Sequence, residues 1–198
     1  LVSKERMAVL GKIAGNVGHE LRNPLGVMNN AVYFLQTVLS EADDTTKEYL
    51  GIIHDEIEVA DRILSDLLDA VRTKPPHPES VEVGELITQA LKVCQIPDSV
   101  TVQQDIPAIC PLVLVDPLQM QQVFRNLISN GIEAMPEGGM LEIRASAAAQ
   151  GNAVVVSIRD GGVGIAPEQQ ARLFQPLFTT KARRIGLGLA VVKNLTEA

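Results

Sequence analysis

Residues 7–39 read MAVLGKIAGNVGHELRNPLGVMNNAVYFLQTVL. Apolar side chains recur at Met7, Leu10, Ala14, Val17 and Leu21, then at Leu25, Met28, Val32, Leu35 and Leu39. The steps alternate three and four, with one extra four-step from Leu21 to Leu25, which is the seam of a coiled-coil-like helix with a local irregularity. Pro24 sits in that irregularity, where the lost backbone N–H predicts a bend. Downstream, Leu50, Ile53, Ile57, Ala60, Leu64, Leu67 and Val71 keep the same spacing through an acidic stretch and predict a second helix. Between them Ser40-Glu-Ala-Asp-Asp-Thr-Thr46 supplies turn and N-cap residues, so the two helices fold back antiparallel. A lone hairpin leaves its stripes half covered. Pairing with a second copy makes a four-helix bundle, and a homodimer through residues 5–72 is expected. Thr73-Lys-Pro-Pro-His-Pro78 then stops the second helix and reads as a short extended linker.

Beyond the linker the pattern changes. Val81 to Val83 and Val100 to Ile106 read as short strands, Glu85 to Cys94 and Pro117 to Met135 as helices. Met140 to Ala147 and Ala153 to Arg159 read as an antiparallel pair, joined near Gln150-Gly-Asn152. Ala166 to Phe174 and Gly188 to Thr196 are helical, with a loop from Phe178 to Gly186 between them. The expected organisation is a helical hairpin over 1–74, a linker over 75–80 and an α+β domain over 81–198. The 198 residues are enough for two such modest domains.

Composition narrows the function. Seventeen Lys+Arg against 24 Asp+Glu leave a formal charge of −7, which argues against a sequence-independent grip on nucleic acid or anionic membrane. Aromatic residues make up 3% and Trp is absent, which removes the usual base-stacking platform. No apolar run approaches the roughly 18 residues that cross a bilayer, and no signal peptide is evident. Cys94 and Cys110 are too few for a disulfide scaffold and have no metal-ligand spacing. The expected setting is cytoplasmic, including the cytoplasmic portion of a membrane-anchored parent.

Four motifs carry chemistry. In His19-Glu-Leu-Arg-Asn-Pro24, His19 falls two positions from both Val17 and Leu21 and so faces away from the seam. A surface histidine is ordinarily only solvated; what distinguishes this one is Glu20 beside it and Asn23 one turn on. Glycines at 11, 15, 18 and 26 crowd the same helix at about 1 kcal/mol each relative to Ala, which suggests that something approaches the backbone closely. On the second motif, Gln121 to Asn130, Asn126 and Asn130 are spaced i,i+4 and share a helix face, where two amide oxygens suit a hydrated Mg²⁺ between phosphates. Paired Asn on a helix are more commonly solvated or capping. The third, Asp160-Gly-Gly-Val-Gly164, follows a strand and offers a carboxylate that can accept an exocyclic amine, with permissive backbone around it, though a plain turn is the blander reading. The fourth, Thr179 to Gly188, gathers Lys181, Arg183 and Arg184 before a Gly-bounded helix start suited to polyphosphate. No Walker-type phosphate loop is present.

In this order and spacing the four resemble the catalytic core of a bacterial two-component sensor histidine kinase, closest to the nitrogen-regulator branch. His19 to Leu25 resembles the H box, Asn126 to Ala134 the N box, Asp160 to Gly164 the first glycine box, Leu173 to Lys181 the F box and Gly186-Leu-Gly-Leu189 the second glycine box. The resemblance covers nearly the whole chain. It implies a dimeric four-helix bundle followed by an α+β ATP-binding sandwich of the gyrase and histidine kinase type, with ATP and Mg²⁺ as cofactors. His19 is then the phosphoacceptor, Glu20 the base or acceptor that polarises its ring, and Asn23 the residue that orients water for dephosphorylation. Asn130 with Asn126 holds Mg²⁺, Asp160 reads adenine with Gly162 and Gly164 around it, and Lys181 lies in a lid over the phosphates with Gly186 and Gly188 at its far end. The implied partner is the receiver domain of a response regulator, phosphorylated on aspartate.

Three departures stand out. Glu133 occupies a place where many relatives carry Lys, Arg184-Ile replaces the first residues of the second glycine box, and the sheet is expected to lack the family's last strands after Ala198. A hydrolytic ATPase of the gyrase and chaperone type fits poorly, because those enzymes place a glutamate where Asn126 stands. A dehydrogenase kinase lacks the His19-to-Pro24 helix. A dimeric scaffold with an impaired ATP domain is the remaining alternative.

Overall fold

The computed structural model describes residues 2–71, 75–108, 110–148, 153–181 and 184–197. They form two compact units, residues 1–73 with 176–187, and residues 74–175 with 188–198.

The first unit is built on a helical hairpin. Helix α1 (Val2–Val38) runs without interruption through Pro24, and α2 (Asp44–Val71) packs against it. The turn ends at Asp43, whose Oδ1 accepts from Thr46 N at 2.9 Å and whose Oδ2 accepts from Thr46 Oγ1 at 2.7 Å, an N-cap that starts α2. These bonds hold the Asp43 carboxyl below the ordinary carboxylate range, the Thr46 hydroxyl contributing most. The seam between the helices is not quite the one the apolar period suggests. Val32, Leu50, Ile57, Leu64 and Leu68 are buried and Leu25 is half-buried. Leu21, Met28 and Leu35 stay exposed, as does Ile53, which was expected in the α2 stripe. Gly18, Leu25 and Val32 repeat every seven residues along the row that meets α2; Leu21, Met28 and Leu35 repeat on the row beside it. The expected seam positions Met7, Leu10, Ala14, Val17 and Val71 have side chains outside the described residues.

The second unit is a two-layer α+β fold. Strand β1 (Glu79–Val81) pairs antiparallel with β3 (Val113–Val115), and β2 (Val100–Asp105), β4 (Gly139–Ala147) and β5 (Val154–Asp160) form a second sheet in the order β2-β4-β5. Strand β4 is parallel to β2 and antiparallel to β5, with Leu141 opposite Asp160. Leu141, Ile143 and Ala145 alternate into the core, as a half-buried strand requires. They meet Leu86, Ile87 and Ala90 of α3 (Val83–Val93) and Phe124, Ile128 and Ile132 of α4 (Pro117–Glu133). Helix α5 (Pro167–Gln170) is one turn, and α6 (Gly188–Thr196) packs on α4.

Several boundaries move. The first strand covers Glu79–Val81 rather than Val81–Val83, because its partner is β3, a three-residue strand the sequence reading did not anticipate. The helix expected from Ala166 to Phe174 is confined to Pro167–Gln170, followed by turns. None of its residues is buried, so no tertiary contact extends so short a helix. The proposed β4–β5 connection at Gln150 to Asn152 lies outside the described residues. Among the described residues, no helix is long and apolar enough to cross a membrane.

Candidate functional site

Helix α4 organises the second unit. Asp116 caps it: Oδ1 accepts from Leu118 N (2.9 Å) and Gln119 N (3.0 Å), and Oδ2 accepts from His77 N (2.8 Å). The bond from His77, then that from Gln119, holds the Asp116 carboxyl below its ordinary range. Pro117 follows at the first helical position, where its missing N–H costs nothing. The buried row Phe124, Ile128 and Ile132 fixes the rotation of α4 on the sheet, and so fixes where Asn126 and Asn130 stand.

The motifs that are distant in sequence meet on this helix. Asn126 Nδ2 approaches Gly188 O at 3.5 Å, and a Cβ built at Gly188 would lie 3.8 Å from Asn126 Cγ. Gly131, the residue after Asn130, faces β5, and a Cβ there would stand 3.4 Å from Asp160 Cβ and 2.7 Å from Leu141 Cδ1. Asp160 Oδ1 accepts from Gly162 N at 3.0 Å. Val163 N donates to Ala134 O at 3.1 Å, and a Cβ at Gly162 would fall 2.4 Å from that same oxygen. The chain therefore passes Ala134 so closely that only glycine fits at 162. Gly164 has φ +71° and open space around it, a conformation other residues rarely adopt. Asn126, Asp160, Gly162 and Gly188 are thus brought to one helix, with Asn130 a turn beyond Asn126 on the same face.

Lys181 and Gly186 fall in the other unit. Their segment is closed by Leu177 N donating to Gly186 O at 3.0 Å, and Gly186 has φ +76° with Phe178 O 2.4 Å from where a Cβ would be. Lys181 N donates to Thr179 Oγ1 at 3.0 Å. Arg183 lies outside the described residues.

On the hairpin, His19, Glu20 and Asn23 all lie within α1, and Glu20 and Asn23 are exposed. The side chain of His19 lies outside the described residues. Sequence reasoning missed Arg22, whose Nε is 3.5 Å from Asp61 Oδ1 and whose Nη2 donates to Ser65 Oγ at 3.2 Å, tying the histidine-bearing turn to α2. It also left the close approach unassigned. A Cβ at Gly18 would meet Leu68 Cδ2 at 2.4 Å, whereas Gly26 has nothing within 4 Å. Gly131 and the Ala134 carbonyl were missed as well, since only a fold shows what passes them.

Comparison with known proteins follows this division. Residues 9–76 match the His Kinase A (phospho-acceptor) domain, and residues 115–198 match the histidine kinase-, DNA gyrase B-, and HSP90-like ATPase family. The chain is 36% identical to the sensor histidine kinase ZraS of Escherichia coli K12 over 98% of its own length and 42% of the relative's. It is 31% identical to sporulation kinase B of Bacillus subtilis over 100% of its length and 46% of that protein. The chain thus spans less than half the length of these relatives. Among solved structures, full-length ShkA in complex with AMPPNP superposes with a TM-score of 0.72 over 94% of this chain and 41% of that one, at 22% identity, a likeness of fold. The histidine kinase ThkA in complex with the response regulator protein TrrA superposes with a TM-score of 0.58 at 26% identity, over 90% of this chain and 53% of that chain.

Proposed function

The chain belongs to the sensor histidine kinases of two-component signalling, and from that membership we propose that it phosphorylates His19 from ATP and passes the phosphoryl group to an aspartate of a response regulator. The observation that most supports this reading is the convergence on α4, where Asn126 meets Gly188 while Gly131 and Ala134 receive Asp160 and Gly162. We read this as a nucleotide site assembled from three separated motifs, and a Cβ at Gly164 would meet nothing within 4 Å. Asp160 accepts the adenine amine. The residues also fit Mg²⁺: with Nδ2 of Asn126 turned to Gly188 O, Oδ1 is the atom left to ligate, and Asn130 adds a second amide one turn on. When bound, the ion neutralises phosphate charge.

On α1, Glu20 accepts the proton of one imidazole nitrogen of His19, which leaves the other with its lone pair for in-line attack. An N–P bond forms, the bond from the γ-phosphorus to the β–γ bridging oxygen breaks, and ADP leaves. The phosphoramidate then donates to the regulator's carboxylate, giving an acyl phosphate. Asn23, one turn from His19, orients water toward that acyl phosphate and supplies phosphatase activity. Two copies of the hairpin form the bundle, covering the exposed row Leu21, Met28 and Leu35. The expected domain limits are the hairpin over 1–74 and the ATP-binding domain over 81–198.

Incubation with γ-labelled ATP tests the reading. Label that is acid-labile and base-stable, and that is lost in His19→Gln while nucleotide binding persists, is the expected result. Acid-stable label, or label that survives the substitution, places the acceptor elsewhere.

A further inference from the structure

The second unit takes hold of the linker in two successive ways. Strand β1 pairs with β3 over three residues, Glu79 with Val115, Ser80 with Leu114 and Val81 with Val113. The register explains why this ladder stops. One step on, Pro78 would face Asp116, and two steps on, His77 would face Pro117; neither proline has an N–H to donate. The Asp116 side chain takes over there, its Oδ2 accepting from His77 N at 2.8 Å. Among the described residues after α2, Pro75 and Pro76 lack an N–H, so His77 offers the first backbone donor. The other carboxylate oxygen, Oδ1, caps α4 alone, accepting from both Leu118 N and Gln119 N. A cap needs only one such acceptor, and serine or asparagine serves there as well as aspartate does. Only a carboxylate supplies a second acceptor oxygen, and here the second one binds the linker.

We propose that Asp116 is a positioning residue for phosphotransfer, a strap that fixes where the linker from the histidine-bearing hairpin joins the helix of the nucleotide site. The proposal rests on the reading that the chain phosphorylates His19 from ATP. In that reaction the acceptor is carried on α1 and the nucleotide on α4, and the chain runs from the hairpin to the second unit through residues 72–78. Asn126 and Asn130 belong to the helix that Asp116 caps, so the strap and the nucleotide residues share one rigid element. With the strap in place the linker is tied to the start of α4 from His77; without it the tie begins at Glu79, two residues later. Two more residues lengthen the tether by up to about 7 Å. The nucleotide is then presented to His19 at lower effective concentration and without a fixed exit direction for the chain. Nucleotide binding itself rests on α4, β5 and the loops they receive, and does not pass through His77. The strap therefore acts on the rate of transfer and not on the affinity for ATP.

Asp116→Asn isolates the strap. Asparagine has one side-chain oxygen, for which the two N–H groups of the helix outcompete the single one of the linker, so the cap stays while an NH₂ group faces His77 N. His77→Pro removes the donor instead and leaves the carboxylate charge in place, in a stretch that Pro76 and Pro78 already keep extended. His77→Ala retains the N–H and is the control. With the whole protein and saturating γ-labelled ATP and Mg²⁺ at neutral pH, the initial rate of His19 labelling is expected to fall at least about twofold in Asp116→Asn and in His77→Pro alike. The double variant is expected to fall no further, and His77→Ala to label as wild type does. The dissociation constant for ADP stays at the wild-type value, and the melting temperature of Asp116→Asn stays within about 2 °C. The His77 amide, followed by ¹⁵N NMR, exchanges faster with solvent once Asp116 is Asn. Labelling by the two variants as fast as wild type or faster overturns the proposal. So does a loss that tracks weaker ADP binding, or one shared by His77→Ala, which makes the imidazole the group that matters. Should Asp116→Asn fail to fold, His77→Pro against His77→Ala decides. A wild-type protein that binds ADP but leaves His19 unlabelled refutes the phosphotransfer reading, and the proposal with it.

Discussion

Gly18→Ala and Gly26→Ala are expected to change stability in opposite directions, although the glycines share one helix and neither has an unusual backbone. At Gly18 the added methyl would meet Leu68 Cδ2 at 2.4 Å, Cδ1 at 2.6 Å and Cγ at 2.8 Å. Three atoms of one branched group are crowded together, so turning a single bond does not clear them, and Leu68 is 5% exposed with little room to retreat. Overpacking of this kind costs about 1–3 kcal/mol, against about 0.5–1 kcal/mol gained by replacing a helical Gly with Ala. The net expectation is a loss near 1 kcal/mol and a fall in melting temperature of roughly 2–4 °C. At Gly26 nothing lies within 4 Å, so only the gain of about 0.5–1 kcal/mol remains and the melting temperature rises. Thermal unfolding followed by helical circular dichroism at one fixed protein concentration reads both. Leu68→Ala alone loses about 2–5 kcal/mol, and combined with Gly18→Ala it is expected to lose less than the sum, because the clash is gone. A Gly18→Ala protein as stable as wild type, or strict additivity in the double variant, refutes the claim that Gly18 exists to admit Leu68.

Further outcomes follow from the same geometry. Glu20→Ala is expected to lose chiefly autophosphorylation, while Asn23→Ala keeps most of it and loses dephosphorylation of the regulator; parallel losses in both variants, measured as two rates, would reject that division of labour. Gly162→Ala drives a methyl to 2.4 Å from the Ala134 carbonyl oxygen, a backbone obstacle, and is expected to weaken nucleotide binding at least about tenfold by titration while self-association of the hairpin is unchanged. Asp116→Ala removes the acceptor of the His77, Leu118 and Gln119 N–H groups and is expected to cost about 1–2 kcal/mol at neutral pH. Because those N–H groups, His77's first, lower the carboxyl's folded value, the stabilisation is full above the ordinary carboxylate range and is lost as the pH falls through the lowered one; the gap between wild type and variant in acid titration should close below about pH 4.

What could be read from sequence was what neighbours along the chain decide. Asp116 and Pro117 announce the start of α4, Gly188 to Thr196 forms a helix as its apolar period requires, and the alternation of β4 matches its buried Leu141, Ile143 and Ala145. Strand β3 was not readable, since three residues of the short stretch between Pro111 and Pro117 become a strand only when β1 lies beside them. The α1 seam shows a subtler failure. Apolar period finds rows of large side chains, and α1 has two such rows side by side. The row that meets α2 also borders Arg22, Asn29 and Gln36, polar residues at half-buried positions, so a hydrophobicity pattern drifts from it toward Leu21, Met28 and Leu35.

The site shows the same limit at longer range. Each motif could be located by its own residues, but the reason they work together is a set of contacts between positions tens of residues apart, made almost entirely through glycine and backbone. Gly131 lets Leu141 and Asp160 close on α4, Gly162 lets the following loop reach the Ala134 carbonyl, and Gly188 brings the start of α6 to Asn126. A side chain carries chemical character that can be guessed from its type; a glycine carries only permission for an approach, and the sequence does not name what approaches. The three contacts land on α4 or on its C-cap residue Ala134, and α4 is seated in the core through Ile128. The position of Asp160 relative to Asn126 therefore depends on how α4 seats on the sheet. Shortening Ile128, whose side chain is fully buried, is for that reason expected to disturb nucleotide binding and stability together.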